Sequence, residues 1–214
     1  MKTARLFLIA LAFAACASYR VAGQIQSGRQ ALLMGNPEAA LAYFQEAVKT
    51  DPDHIFELAL YRESVWTYLG RAQYNLGRFE EARRSFERAL SIYPDDYLAR
   101  LYLGLTLLRL GDQKQGRVHF EAGLRGLHGW LEYINAARPF EAFWDPRREI
   151  RSTIEKTLAV LSERDADWPA LVATGEWIGQ RMEQEIDYVR RDEQRYFRDR
   201  DIRRGSGIGV GIGF

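Results

Sequence analysis

The sequence is poor in the residues that most often carry chemistry. Among 214 residues there is one cysteine, so an intramolecular disulfide and a multi-cysteine zinc site are both excluded. The histidines, His54, His119 and His128, are scattered without metal-ligand spacing. Charge of one sign is also missing. Thirty basic residues face 29 acidic ones, which leaves no positive excess to neutralise nucleic-acid phosphates. With 6 prolines and 18 glycines the chain is neither collagen-like nor low-complexity. No nucleophile elbow is present, and the C-terminal glycines neither follow a strand nor open a helix, as a phosphate-binding loop requires. The carboxylate pairs Glu80-Glu81 and Asp95-Asp96 fall on a helix start and a turn, where solvation and capping account for them. The expectation is a non-catalytic chain with no cofactor, no metal and no nucleic-acid partner.

Long hydrophobic runs are scarce as well. Residues 6–15 are apolar throughout, but as a helix they would rise only ~15 Å, about half a bilayer core. With Lys2 and Arg5 ahead of them, residues 1–15 read as a secretory signal rather than a span. The lone cysteine, Cys16, directly follows Phe13-Ala14-Ala15. This resembles the lipobox of bacterial lipoproteins, with Phe13 standing where that family usually has Leu. The resemblance implies lipidation of Cys16, and Ala17 in place of Asp implies the periplasmic face of the outer membrane. The alternative is ordinary cleavage nearby, which leaves a free thiol. Loss of Lys2 and Arg5 makes the mature chain nearly neutral, so the acyl chains would have to supply the membrane anchor. Residues 16–20 would form the tether.

What the sequence does contain is a repeat. Residues 21–54, 63–96 and 97–130 can be set in a register of thirty-four. Small residues recur at position 8 (Gly28, Gly70, Gly104) and position 15 (Gly35, Gly77, Gly111). Phe44, Phe86 and Phe120 share position 24, and Pro52 and Pro94 share position 32, where the third copy has His128. The middle copy adds Trp66, Ala82 and Ala89. Small residues at these spacings let paired helices approach, and the aromatic fills the gap between them. This pattern resembles the tetratricopeptide repeat. It implies an all-α solenoid of helical hairpins, in which no hairpin can bury its apolar faces alone. Residues 55–62 interrupt the period; the expectation is a two-turn extension of the following helix, the alternative a functional lip.

After the repeats, residues 131–204 read as a C-terminal helical region that caps the solenoid. Asp145-Pro146 is expected to open a helix with Ile150, Ile154, Leu158 and Leu161 on one face. Asp167-Trp168-Pro169 is expected to open another, striped with Leu171, Ile178, Met182, Ile186 and Val189. From Asp187 onward charge replaces the stripe, as in a solvated helix end or a docking helix. Residues 205–214 alternate glycine with Ile208, Val210, Ile212 and Phe214. The expectation is a flexible tail. The alternative, resembling the last strand of outer-membrane barrels, is addition to a partner's sheet edge.

The repeat resemblance also locates a binding surface, the concave face made by the first helix of each hairpin. It would present Arg29 and Leu33, then Arg71, Tyr74 and Asn75, then Leu101, Leu105 and Arg109. A leucine floor with three arginines suits an extended or helical segment carrying apolar anchors and an acidic group. The carboxylate clamp of chaperone-binding relatives is absent, since Ile25 and Arg29 replace its Lys and Asn. The C-terminal helices are an alternative cover for the same leucines. The whole looks like the outer-membrane tetratricopeptide lipoproteins that serve pilus, outer-membrane protein and polysaccharide-export systems, with protein partners of the cell envelope. A regulator of a peptidoglycan or envelope-polysaccharide enzyme is the runner-up.

Overall fold

A computed structural model describes residues 19–58, 60–137, 144–162 and 167–205. Cys16 and the four apolar tail residues lie outside them. The first hairpin pairs α1 (residues 19–33) with α2 (Pro37–Thr50). The second pairs α3 (Val65–Asn75) with α4 (Phe79–Ile92), and the third pairs α5 (Tyr97–Arg109) with α6 (Gln113–Ala137). Then come α7 (Glu149–Leu161) and α8 (Trp168–Gly205). The architecture is a helical-repeat solenoid. Among the described residues no helix is long and apolar enough to cross a membrane.

The repeated glycines and phenylalanines make one contact three times. A Cβ on Gly28 would collide with the Phe44 ring, on Gly70 it would lie 2.6 Å from the Phe86 ring, and on Gly104 it would collide with the Phe120 backbone. Only glycine lets the two helices of each hairpin come this close. At position 15 the need is conformational. Gly77 takes φ +72°, the left-handed value that ends α3 and lets its N–H bond the Tyr74 carbonyl at 2.9 Å. Asn36 caps α2 by accepting from Ala39 N, with Pro37 in the first turn. Asp96 caps α5 at 2.9 Å and also accepts from Ser64 N and the Thr67 hydroxyl at 2.8 and 2.7 Å. One buried carboxylate thus ties the starts of α3 and α5 together. Trp66 donates its indole N–H to the Pro52 carbonyl at 2.7 Å, anchoring the second hairpin on the turn of the first. Where His128 replaces the proline, nothing stops α6, and it runs on to Ala137.

Two expectations fail locally. Residues 55–62 do not extend α3. They form most of an antiparallel hairpin, β1 (Ile55–Leu58) with β2 (Tyr61–Ser64), in the register Phe56↔Glu63 and Leu58↔Tyr61. The reason is in the residues: Phe56-Glu57-Leu58 and Tyr61-Arg62-Glu63 both place an exposed charge between two covered side chains, a period of two. Leu60 takes φ +68° at the reversal, as tight hairpins demand. The second failure is the start of α7. Its first residue is Glu149, and Arg148 at φ +58° holds the N-cap position. Asp145 nevertheless serves the helix from upstream, accepting from Ile150 N and Arg151 N, each at 3.0 Å.

The core runs the length of the array. Val21, Ile25, Phe44 and Tyr68 lie at its first end, while Phe86, Leu105, Phe120 and Leu131 continue toward α7 and α8. Tyr61 from the hairpin tip joins Trp130 and Trp144 in an aromatic cluster with ring centroids 4.9–5.4 Å apart. Trp144 is buried there as a core residue, whereas Trp177 remains 40% exposed on α8.

Candidate functional site

The concave face is built by α1, α3 and α5, and α8 lies across it. The leucine floor is covered from within the chain. A Cβ on Gly175 would sit 2.8 Å from Leu105 and 2.5 Å from the Phe120 ring; one on Gly179 would sit 2.5 Å from the Tyr102 ring. These two glycines, one helical turn apart, are why α8 can press so closely. Met182, Ile186 and Val189 extend the same buried stripe toward the first hairpin.

Four of the five polar residues of the groove, Arg29, Arg71, Tyr74 and Arg109, meet α8. Glu183, itself buried, receives Arg29 Nε on one carboxylate oxygen and Arg71 Nη1 on the other, the latter at 2.6 Å. Arg29 also donates to Asp187 at 3.1 Å and to the Glu183 carbonyl at 3.3 Å. At the third hairpin, Glu176 accepts from the Tyr74 hydroxyl at 2.5 Å and from Arg109 Nη2 at 2.7 Å. Leu101 is buried in the floor, Leu33 is half-buried and Asn75 is exposed. Leu33 and Asn75 line a cavity of about 520 Å³ that opens at the rim beside Phe79, Arg109 and Gln180. The eight groove residues therefore divide: Arg29, Arg71, Tyr74, Leu105 and Arg109 touch α8 or lie under it, Leu101 is floor, and Leu33 and Asn75 reach the rim.

Behind the arginines lies a carboxylate outside the concave set, Glu63 on β2. Fully buried, it pairs with Arg71 Nη1 at 3.3 Å and accepts from the Tyr61 hydroxyl at 3.0 Å. Burial pushes its carboxyl up to about 8, against the pull of Arg71. Burial also acts on Glu183, but two guanidinium groups outweigh it and hold that carboxyl below its usual value. Asp96 is raised by burial to about 6, moderated by the hydrogen bonds it accepts. Burial thus works against the charged form of Glu63, while Arg29 and Arg71 favour the charged form of Glu183.

Glu63, Glu176, Glu183 and Asp187 were not among the residues expected to form the site. A signal for two of them was present: neither Glu176 nor Glu183 has a basic residue three or four positions away on α8. An acidic residue beside an apolar stripe and without a helical partner is a candidate for a distant one. Elsewhere, His128 stands one turn from Glu132 on α6 and faces Glu155 of α7, with ligand atoms within 4.8 Å of one another. Arg148 and Arg151 already pair with those carboxylates at 3.0–3.5 Å, so their charge is balanced without a cation.

The fold and groove define a helical-repeat protein whose concave face binds a helix. Comparison with family models sharpens this. Residues 26–54 and 64–96 each match a tetratricopeptide repeat model. The first two hairpins are thus tetratricopeptide repeats. Such repeats are protein-interaction modules and typically non-catalytic. A search of curated proteins finds no significant match.

Proposed function

We propose that the protein is a non-catalytic interaction scaffold of a bacterial envelope, lipid-anchored through Cys16 on the periplasmic face of the outer membrane. It would serve an assembly or export system such as those for pili, outer-membrane proteins or polysaccharide. The observation that carries the scaffold role is the groove itself: three arginines on three successive hairpins, each engaging an acidic residue of one helix. That is recognition chemistry for a protein segment, with bidentate or forked donors fixing its register. The envelope setting rests on the sequence of residues 1–16, a positive start, a ten-residue apolar run and the lone cysteine after two alanines. Tail residues Ile208, Val210, Ile212 and Phe214 would add a second, strand-like contact to a partner.

The test is crosslinking of the tagged protein in its native envelope, alongside a Cys16→Ser variant. The parent should fractionate with the outer membrane and be recovered with a defined envelope partner. The Ser variant should lose membrane retention. Equal retention of both would remove the lipid anchor, and recovery of the parent without any partner would remove the scaffold.

A further inference from the structure

The segment filling the groove has a readable signature, and it is the signature of a ligand. Along α8, Gly175 and Gly179 place two small residues four apart against Leu105, Phe120 and Tyr102. Ile178, Met182 and Ile186 form the buried stripe, and Glu176, Glu183 and Asp187 place carboxylates opposite Arg109, Arg71 and Arg29. The array offers the complementary pattern, with guanidinium groups at one place per hairpin over a leucine floor. The carboxylate fit is also incomplete. Arg71 Nε is buried with no hydrogen-bond partner among the described residues, although the same guanidinium serves Glu63 and Glu183. A different acidic helix could satisfy that donor where α8 does not.

We infer that the concave groove is a docking site for an acidic amphipathic helix of a partner protein, and that α8 is the chain's own occupant, which the partner replaces. The inference rests on the scaffold reading and names the partner's chemistry: two small residues four apart, an apolar stripe between them and beyond, and carboxylates seven and eleven residues apart. Charge selects this occupant. The groove contributes three arginines, while Glu63, the buried carboxylate behind them, pairs with Arg71 alone. A basic or neutral helix would leave the buried Arg29 without a carboxylate and Arg71 with Glu63 alone, which is unfavourable.

The experiment opens the groove in the full chain and supplies the helix in trans. Gly179→Leu should expel α8, because its side chain would overlap the Tyr102 ring, while every groove residue stays in place. A labelled synthetic peptide of residues 168–192 serves as probe. It should bind the Gly179→Leu chain at least ten-fold more tightly than the parent, whose groove is filled. Glu176→Gln and Glu183→Gln together in the peptide should abolish that gain. Hydrogen exchange should show α8 opened in the variant and the three hairpins still protected. Equal binding to parent and variant, or no binding to an opened variant, overturns the inference. Glu183→Gln in the full chain is the second route to an open groove. Should both variants unfold the hairpins instead of freeing α8, the helix is obligatory core and the inference falls. Peptide binding without any envelope partner would keep the groove and discard the scaffold.

Discussion

The seams inside the hairpins and the seam beneath α8 bury similar helices, but only the second adds buried ion pairs to its apolar contacts. Inside a hairpin, glycine meets phenylalanine at matching repeat positions, and the contacting partners lie 16 residues apart in the chain (Gly28 and Phe44, Gly70 and Phe86, Gly104 and Phe120). Beneath α8 the added contacts are ionic and join residues as distant as 154 and 112 positions (Arg29 and Arg71 to Glu183). Dispersion and burial favour the first seam however α8 is placed. The second gains from its charges only while every partner is present, because an unmatched buried ion is expensive. The hairpins are therefore the permanent part of the molecule and the α8 contact the conditional one.

The contrast can be broken most forcefully at Phe86, which is fully buried. Phe86→Ala should cost about 3–5 kcal/mol by leaving a cavity, read as a lower denaturation midpoint for the whole domain. Glu183→Ala removes the shared partner of two buried guanidinium groups, leaving Arg29 with Asp187 and Arg71 with Glu63, and should cost about 3 kcal/mol. Its loss of amide protection should be confined to α8 and the groove. Protection lost throughout α2 and α4 would erase the distinction between the seams.

A gentler probe is pH. The folded Glu63 and Asp96 carboxyls lie above their unfolded values, so the folded state holds extra protons and stability falls as pH rises, toward about 6 for Asp96 and about 8 for Glu63. Glu183 is depressed and acts oppositely, adding stability that is lost on acidification below its ordinary range. Urea midpoints should therefore decline between pH 5 and 8. Glu63→Gln should flatten the upper part of that decline, above pH 6, while leaving the Asp96 contribution below it. The smallest effect belongs to Arg109, whose side chain is 46% exposed. Arg109→Ala should lower stability by less than about 1 kcal/mol, because water screens its pair with Glu176.

The same contrast explains what could be read from the sequence. Hairpin seams are written in a period, so Gly70, Phe86, Ala82 and Pro94 announce them locally, and the stripe of α8 is equally plain. Arg29, Arg71 and Tyr74 could be placed on the concave face because the repeat fixes their orientation. What occupies that face could not be placed, since no periodicity links Arg29 to Glu183. Residues 55–62 read as helix because four-residue strands are too short for their alternation to outweigh the helical context on either side. Glu63 was hidden by the same error: on a strand it points into the core, whereas a helical extension offers it no such role.

Repeat arrays commonly lengthen and shorten by duplication, because each unit touches only its neighbours. Here that freedom is lost. Helix α8 runs antiparallel to the series, meeting Arg109 of the third hairpin first, then Arg71 of the second, then Arg29 of the first. The intervals between Glu176, Glu183 and Asp187 are thus a ruler cut to three units. Inserting a hairpin among the three would move at least one arginine off its acidic rung, so a change of repeat number within the series requires a matching change in α8.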